Sequence, residues 1–305
     1  MSELLYFIGV STAGSSIMRL FPRWASLLAL DAGIIGKDIP LESDPEDFRS
    51  AVEHIARRPE VKGGLITTHK IDVFNHARDL FAEVDDYARI CGEVSCISKR
   101  NGGLVAHAKD PITSGLALDH MIGADYWAHH DGEVVCLGAG GAGVAIVIHL
   151  LQLERSPPKI TLTDVSSTRI DAALRAHEQV ASTIEVEYRL VRDPLETDEL
   201  VSSLPPASLV INATGMGKDR PGSPITDAAA FPMLAVVWDL NYRGELDFLR
   251  QARAQEQARN LDVHDGWRYF LHGWTEVISE VFEVDIDEAR FGALAAAAEE
   301  LRSTP

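Results

Sequence analysis

The sequence contains little cysteine, fewer basic than acidic residues and no long apolar run. Its three cysteines, Cys91, Cys96 and Cys136, form no CxxC pair, so we expect buried reduced thiols and predict neither a disulfide framework nor a metal site. The 28 Lys and Arg residues stand against 46 Asp and Glu, which gives a net charge of −18. This balance argues against a nucleic-acid or anionic-membrane surface, because such partners require a basic patch.

The apolar stretches are too short to cross a membrane. None approaches the ~18 consecutive apolar residues of a spanning helix. The first residues, MSELLYFIGV, lack the basic region of a signal peptide and are typical of a strand. We therefore expect a cytoplasmic protein that acts on a small molecule as a monomer or homodimer, without nucleic-acid or membrane partners.

Strand and helix patterns fall into two blocks that predict an α/β protein of two domains. Residues 1–115 contain buried-strand patterns such as LLYFIGV and GGLITT, with helical patterns between them. Apolar residues at spacings of three and four predict one continuous helix face in this block. Its members are Phe74, Ala77, Phe81, Val84 and Ala88. Residues 116–267 alternate strands with helices, which predicts a doubly wound parallel sheet of the Rossmann type.

A glycine-rich turn follows the strand EVVCL and opens an apolar helix. Gly138, Gly140 and Gly143 spell GxGxxG in the context that a dinucleotide-binding turn requires. Gly138 turns the chain, Gly140 lets a pyrophosphate approach the backbone, and Gly143 packs the helix against the strand. The alternative is a glycine-rich turn without a ligand. The predicted cofactor-binding residues of this turn are Gly138, Ala139, Gly140, Gly141, Ala142 and Gly143.

The end of the strand KITLTD bears on the choice of cofactor. Asp164 lies about 20 residues after the glycine turn, where an acidic side chain accepts hydrogen bonds from the ribose hydroxyls and repels a 2′-phosphate. Val165 follows at the position where an NADP-binding protein needs a cation. Arg169 is close enough in sequence to weaken this interpretation, although it belongs to the next helix. The sequence favours NAD over NADP.

A second small-residue turn, INATGMG, ends a later strand. Asn212, Ala213 and Thr214 suit a wall against the nicotinamide ribose. An ordinary turn at a strand end explains the same residues equally well.

Lys70 and Asp110 are the candidate catalytic residues. Lys70 stands after the strand GGLITT, and Asp110 follows a strand and precedes a predicted helix. Strand ends of open α/β folds collect functional groups, and a partly buried lysine can take the proton of a secondary alcohol as hydride leaves. The alternatives are a surface lysine and a helix-capping aspartate.

Almost the whole chain resembles the shikimate/quinate dehydrogenase family. The family's N-V-T-x-P-x-K corresponds to residues 64–70, its N-T-D to residues 108–110, and its D-x-x-Y to the stretch WDLNY. The resemblance implies that Lys70 and Asp110 are the catalytic pair and that Tyr242 contacts the substrate. It also places Leu240 and Gly266 near the cofactor. The implied fold is a substrate domain of residues 1–115 completed by residues 268–305, and an NAD(P)-binding domain of residues 116–267.

Several polar positions of the family differ in this chain. The S-x-S motif that binds the substrate carboxylate aligns with Ser15, Ser16 and Ile17. The preceding histidine aligns with Gly14, three asparagines with Gly64, Ser95 and Ala108, and a late glutamine with Gly273, next to His272. Because a site built to hydrogen-bond particular hydroxyls discriminates strongly, shikimate is either a poor substrate or held by a different network.

The candidate substrate-binding residues are Ser15, Ser16, Thr67, Ser95, Tyr242 and His272. His69 and Lys109 either belong to the altered network or face solvent.

The main hypothesis is an oxidoreductase that transfers hydride between NAD, or NADP as the second choice, and a ring hydroxyl of shikimate, quinate or a related polyhydroxylated alicyclic compound. Loss of polar substrate contacts favours a catalytically silent, nucleotide-responsive binding or regulatory protein on the same fold. Retention of both Lys70 and Asp110 speaks against that alternative. A folate or amino-acid dehydrogenase on the same scaffold fits the INAT and D-x-x-Y stretches less well.

Overall fold

The computed structural model describes residues 2–218 and 220–302, and the chain forms two compact α/β units. The first unit comprises Met1–Lys109 and Gly273–Pro305, and the second comprises Asp110–His272. The predicted α/β class with a Rossmann-type second unit is confirmed. The domain boundaries given by the sequence stay a prediction. Within the described ranges, no helix has both the length and the apolar character needed to cross a bilayer.

The first unit is built on a six-stranded mixed sheet with the order β2-β1-β3-β5-β6-β4. Its strands are β1 (Glu3–Gly9), β2 (Ala32–Asp38), β3 (Val61–Ile66), β4 (Glu83–Val84), β5 (Cys96–Arg100) and β6 (Gly103–His107). β5 is antiparallel to both of its neighbours, whereas the other pairs are parallel. The carboxyl ends of β1, β3 and β6 and the amino end of β5 therefore share one edge of the sheet.

The helices of the first unit are α1 (Ser16–Leu27), α2 (Pro45–Arg57), α3 (Lys70–Ala77), α4 (Asp86–Cys91) and α13 (Glu288–Arg302), with a 3₁₀ turn over Arg78–Leu80. Fully buried residues of β1, β3 and α2, including Ile8, Ile66 and Ile55, share one core cluster. Each such side chain stabilises the fold by about 1.5–3 kcal/mol through apolar burial.

The predicted continuous helix from Phe74 to Ala88 is wrong. The chain leaves α3 at Ala77, forms β4, and starts α4 only after Asp85. Val84 pairs with Ala106 of β6, and the Asp85 carboxylate accepts the Ala88 N–H at 2.7 Å as the cap of α4. The apolar spacing reflects burial on one side of the chain, and strand pairing together with the aspartate cap breaks the helix.

The second unit is a wholly parallel six-stranded sheet with the order β12-β11-β10-β7-β8-β9. Its strands are β7 (Val134–Leu137), β8 (Lys159–Asp164), β9 (Glu185–Leu190), β10 (Leu209–Asn212), β11 (Val236–Asp239) and β12 (Asp262–His264). The strand order reverses between β7 and β10, which makes this the topological switch point where open α/β sheets bind ligands.

The helices of the second unit are α5 (Asp110–Ile122), α6 (Tyr126–His129), α7 (Gly141–Leu151), α8 (Ser167–His177), α9 (Pro194–Ser202), α10 (Asp247–Arg253) and α11 (Glu256–Arg259). One further helix, α12 (Trp267–Phe282), begins in the second unit, and its residues from Gly273 onward belong to the first. Apolar side chains of β7, β10, β11 and α10, among them Phe248, form a core cluster of this unit.

Candidate active site

Lys70 lies at the edge of the first sheet where β3 ends. It is the first residue of α3 and is half-buried. Its backbone carbonyl accepts a 3.0 Å hydrogen bond from the N–H of Val94, just before β5. Thr67, between β3 and Lys70, donates its hydroxyl to the Ile8 carbonyl at 3.3 Å. The strand end and its neighbour therefore fix the backbone at the lysine.

His69 does not face solvent. The ring is 2% exposed, with Nε2 2.7 Å from the Ile39 carbonyl and Nδ1 3.5 Å from the Asp72 carboxylate. Its contacts anchor the start of α3 to the loop after β2.

Asp110 opens the second unit as the first residue of α5 and is 8% exposed. Its carbonyl accepts hydrogen bonds from the hydroxyls of Thr113 at 3.1 Å and Ser114 at 2.6 Å. These two contacts bind the first turn of the helix to Asp110.

Lys109, which directly precedes Asp110, is held at both ends within the first unit. Its backbone N–H donates to the Ser95 hydroxyl at 2.7 Å, and its ammonium donates to a Glu280 carboxylate oxygen at 2.7 Å. Lys109 is 9% exposed, so it is not a surface lysine. The Ser95 hydroxyl also donates to the His107 carbonyl at 3.5 Å and is largely enclosed.

Glu280 of α12 is the centre of a charged network at the end of β6. Its carboxylate contacts Lys109, the Arg100 guanidinium at 3.0 Å and His107 Nε2 at 3.5 Å. Burial alone raises the pKa of Glu280, but the hydrogen bond from Lys109 and the charges of His107 and Arg100 outweigh it and lower the pKa. Burial likewise opposes ionisation of Asp85, yet the His107 hydrogen bond brings its pKa below the usual value.

Ser98, His107 and Asp85 have the connectivity of a nucleophilic triad. The Ser98 hydroxyl lies 2.8 Å from His107 Nε2, and His107 Nδ1 lies 3.1 Å from the Asp85 carboxylate. Ser98 is fully buried in β5, so a substrate cannot reach its hydroxyl. The three residues are a structural hydrogen-bond chain that satisfies buried polar groups.

The loop between β1 and α1 carries the residues expected at the substrate carboxylate. Ser15 and Ser16 are half-buried at the start of α1, while Ile17 is fully buried in the core. The backbone N–H and the hydroxyl of Thr12 both donate to the Asp38 carboxylate, at 2.8 and 2.5 Å. This clamp fixes the loop just ahead of the two serines.

In the second unit, the glycine turn has the steric features that a dinucleotide-binding turn requires. Gly138 has φ +107°, and a Cβ there would lie 2.8 Å from the backbone of Ala213. A Cβ at Gly143 would lie 1.9 Å from the Gly138 carbonyl oxygen. A Cβ at Gly140, by contrast, would have no described atom within 4 Å. The first and third glycines are needed for packing, and the second leaves its side of the turn open to a ligand.

The Asp164 carboxylate contacts the same turn. One oxygen accepts the Ala139 N–H and the other accepts the Ser166 N–H, both at 2.9 Å. Arg169, in the first turn of α8, places its guanidinium 3.7 Å from this carboxylate. Val165 is 72% exposed at the end of β8, where it offers an apolar surface.

The side chain of Asn212 holds the INAT turn through hydrogen bonds. Its carbonyl oxygen accepts from the Thr214 N–H at 3.1 Å and the Thr214 hydroxyl at 2.6 Å. Its amide donates to Asp239 at 3.2 Å. Burial raises the pKa of Asp239 to about 7, although hydrogen bonds from Asn241 and Asn212 oppose the rise.

Leu240 and Gly266 approach each other closely. A Cβ at Gly266 would lie 1.8 Å from the Leu240 carbonyl oxygen, so only glycine fits there. Ala213 lies at the same edge of the sheet: its backbone N–H donates to the carbonyl of Leu137, the last residue of β7. The structure thus brings these predicted cofactor-binding residues to the carboxyl edge of the second sheet.

Tyr242 and His272 both lie in the second unit. The Tyr242 ring packs on Trp267 and Phe270, with centroids 5.2 and 4.9 Å apart. Burial, with the positive charge of Arg268 and His120, lowers the pKa of His272 to about 4. Its imidazole is therefore neutral at pH 7 and offers one donor and one acceptor.

Sequence reasoning did not identify Glu280 and Asp85 as members of the charged network, or Glu276 as a residue close to it. The acidic pair at positions 276 and 280 is four residues apart on α12, which indicates one helix face. Nothing in the sequence shows that this face meets Lys109, which is 171 residues from Glu280.

These features define a two-unit α/β protein whose second unit is of the Rossmann dinucleotide-binding type. No protein-family model matches the sequence. Shikimate dehydrogenase (NADP(+)) of Methylocella silvestris is 32% identical over 242 residues, which span 79% of this chain and 78% of that protein. The chain therefore belongs to the shikimate/quinate dehydrogenase family.

Two solved structures share the fold over nearly the full length. Quinate dehydrogenase from Corynebacterium glutamicum, in complex with NAD, has a TM-score of 0.76 at 20% identity and covers 97% of this chain and 99% of its own. The ligand-free 5-ketofructose reductase of Gluconobacter sp. strain CHM43 has a TM-score of 0.72 at 20% identity and covers 99% of both chains. At this level of identity, both structures support the fold.

Proposed function

We propose that the chain is an NAD(P)-dependent dehydrogenase that transfers hydride between the cofactor and a ring hydroxyl of shikimate, quinate or a related polyhydroxylated compound. The observation that carries the proposal is the glycine turn at the switch point, with its ligand-facing side open at Gly140. The names of the relatives, which include a shikimate dehydrogenase and a quinate dehydrogenase, support the same class of reaction.

Lys70 is the proposed general acid/base of this reaction, and Asp110 is the carboxylate proposed to act with it. The glycine turn at Gly138, Gly140 and Gly143 would hold the dinucleotide, whose nicotinamide would supply the hydride-transfer chemistry. In the oxidation direction, the Lys70 amine takes the hydroxyl proton, and in reduction its ammonium returns the proton to the carbonyl oxygen. Asp110 orients the ammonium and accepts a hydrogen bond from the same hydroxyl. The half-buried position of Lys70 at a strand end suits a group that exchanges protons with a bound substrate.

Ser15, Ser16, Thr67, Ser95, Tyr242 and His272 are the proposed substrate contacts. Ser15 and Ser16 are the best placed to bind a ligand, because they lie half-buried at the amino end of α1. Ser95 already has two backbone partners, so we expect it to act mainly by holding Lys109. Neutral His272 would contribute hydrogen bonds without charge.

NAD is the proposed cofactor, with NADP as the second choice. An acidic residue at Asp164 and exposed, uncharged Val165 favour a ribose without a 2′-phosphate. Arg169 lies near Asp164 and would attract a phosphate, and the curated relative from Methylocella silvestris is an NADP(+) enzyme by name. The preference between NAD and NADP therefore depends on whether the negative charge of Asp164 or the positive charge of Arg169 has the larger effect on a 2′-phosphate.

A catalytically silent, nucleotide-responsive protein is the second candidate function. The loss of a hydroxyl at Ile17 and the engagement of Ser95 by the backbone favour it. In either case we propose a protein that binds small molecules as a monomer or homodimer in the cytoplasm, without nucleic-acid or membrane partners.

Turnover assays with reduced-cofactor absorbance separate the two functions. Wild-type protein is mixed with NAD or NADP and with shikimate, quinate or inositols. We expect Lys70→Ala to lower kcat by about 10²–10⁴-fold without changing the affinity for the nucleotide. Lys62→Ala is the matched control, because Lys62 lies in β3 and pairs with Glu3 at the surface. Nucleotide binding without turnover across the substrates tested would favour the silent protein.

A further inference from the structure

Glu276 stands out in α12 because it is half-buried and makes no hydrogen bond or ion pair with any other residue in the described part of the chain. Its neighbour Glu280 is satisfied by Lys109 and Arg100. A half-buried carboxylate without a donor costs free energy unless a ligand or water supplies one. Glu276 is therefore available to a ligand, whereas Glu280 is not.

Packing within the first unit places Glu276 toward the edge of the sheet that carries Lys70. The Trp274 ring meets the Phe7 ring near the carboxyl end of β1, with centroids 5.0 Å apart. Val281, seven residues later, packs against Gly63 near the start of β3. α12 thus runs antiparallel to β1 and β3, so its earlier residues lie nearer the carboxyl edge of these strands.

Open space adjoins this carboxylate. Gly273 is three residues before Glu276 and therefore on the same helix face. No described atom lies within 4 Å of the position that a Cβ at Gly273 would occupy. A ligand group can therefore stand beside α12 at this turn, within reach of the Glu276 carboxylate.

The charges around Glu276 disfavour an anionic ligand group. Lys109 and Arg100 are the cations of the network, and Glu280, Glu283 and Asp85 already supply carboxylates to them or to His107. Burial raises the pKa of Glu276, Lys109 lowers it, and Glu280 raises it further. A substrate carboxylate brought here would add to an excess of negative charge, whereas a hydroxyl would donate a hydrogen bond to Glu276.

We propose that Glu276 is a substrate-binding residue that accepts a hydrogen bond from a hydroxyl group, and that the site prefers uncharged polyhydroxylated compounds to carboxylic acids. This inference rests on the proposed function and names the substrate class of the same site. The feature that would favour an acid instead is the amino end of α1, where backbone N–H groups attract anions. Ile17, which is fully buried there, supplies no hydroxyl to such an anion.

The test compares matched pairs of acid and neutral compounds. Shikimate and methyl shikimate differ only by the carboxylate, and quinate and myo-inositol form a second, looser pair. Binding is measured by calorimetry with NAD present, and turnover by absorbance of the reduced cofactor. We expect wild-type protein to bind the methyl ester at least as tightly as the acid. Glu276→Gln, which removes the charge and keeps the shape, should shift the acid-to-ester affinity ratio toward the acid by about tenfold.

A second variant and a control complete the experiment. Glu276→Ala should weaken myo-inositol binding by about tenfold, the loss of one charged hydrogen bond, with the affinity for NAD unchanged. Glu288→Gln removes the same charge from an exposed position of α13 and should behave as wild type.

Binding and turnover distinguish failure of this inference from failure of the proposed reaction. Tighter binding of the acids by wild type, an unchanged ratio in Glu276→Gln, or binding of none of the four compounds would overturn the role of Glu276. The expected binding order without turnover of any compound would support that role and contradict only the dehydrogenase function.

Discussion

The hydroxyl of Ser95 accepts a 2.7 Å hydrogen bond from the backbone N–H of Lys109. The adjacent residue, Val94, donates its own N–H to the Lys70 carbonyl at 3.0 Å. The two residues before β5 therefore hold the backbone at Lys70 and at the residue preceding Asp110.

Ser95→Ala should destabilise the protein and impair turnover together. The buried Lys109 N–H loses its acceptor, which costs about 1–3 kcal/mol in the free energy of unfolding. Because the peptide leading to Asp110 then shifts, we expect kcat to fall more than the nucleotide affinity. Urea unfolding and steady-state kinetics measure the two effects. Ser26→Ala, on the exposed face of α1, is the control. Equal stability of the two variants would contradict a stabilising hydrogen bond between Ser95 and Lys109.

Two glycine substitutions in one turn should affect different properties: Gly143→Ala the stability of the fold, and Gly140→Ala the affinity for NAD. Gly143→Ala places a Cβ 1.9 Å from the Gly138 carbonyl oxygen and should lower the free energy of unfolding by at least about 2 kcal/mol. Gly140→Ala meets no described atom and keeps an ordinary backbone conformation, with φ −78°. Its stability should stay within about 1 kcal/mol of wild type, while the Kd for NAD rises by about tenfold or more because the methyl group occupies the phosphate side.

Chemical denaturation and calorimetric titration with NAD measure this pair. Nucleotide binding by Gly140→Ala that equals wild type would show that the open side of the turn is not the phosphate site.

The glycine turn was predictable because its geometry is set by residues close together in sequence. A strand, three glycines at fixed spacing and an apolar helix determine where Gly138 and Gly143 must pack. The parallel second sheet followed from the alternation of strands and helices. The break before Asp85 was not predictable, because the pairing of Val84 with Ala106 and the hydrogen bond from His107 come from β6.

The site in the first unit was also hard to predict, because its contacts come from residues that are distant in the sequence. Lys109 and Ser95 are polar residues near strand ends, and the sequence left open whether Lys109 faces solvent. Their roles depend on Glu280, which arrives from α12 near the other end of the chain. The roles of Lys70, Asp110 and the substrate-binding residues stay predictions, and the kinetics of the Lys70 and Ser95 variants test them.

Asp239→Asn should remove a pH dependence from stability. Burial raises the pKa of Asp239 from 3.8 to about 7, so the folded state binds the proton more tightly than the unfolded chain does. The resulting stabilisation is fully present below pH 3.8, declines as the pH rises, and is lost above about pH 7. The asparagine keeps an acceptor for Asn212 and Asn241 without the charge.

Relative to Asp239→Asn, wild-type protein should lose about 3 kcal/mol of unfolding free energy between pH 5 and pH 8. Urea unfolding at four pH values gives the unfolding free energy of each protein. Taking the difference between the two proteins cancels the contributions of all other titrating groups. Asp125→Asn, at an exposed ion pair with Arg155, should show no such change. Parallel curves for wild type and Asp239→Asn would mean that the carboxyl is ionised in the folded state throughout this range.

Val165→Arg should shift the cofactor preference from NAD toward NADP. Val165 is 72% exposed, so an arginine there fits without repacking, and it stands beside Asp164 where a 2′-phosphate would lie. A new cation at this place should tighten NADP binding by about tenfold and leave NAD binding within about twofold. Leu195→Arg adds the same charge at another exposed position, 56% exposed in α9, and should change neither affinity. Calorimetric Kd values for both cofactors measure the preference. If wild type already binds NADP more tightly, Arg169 rather than Asp164 governs the site, and the proposed preference for NAD is wrong.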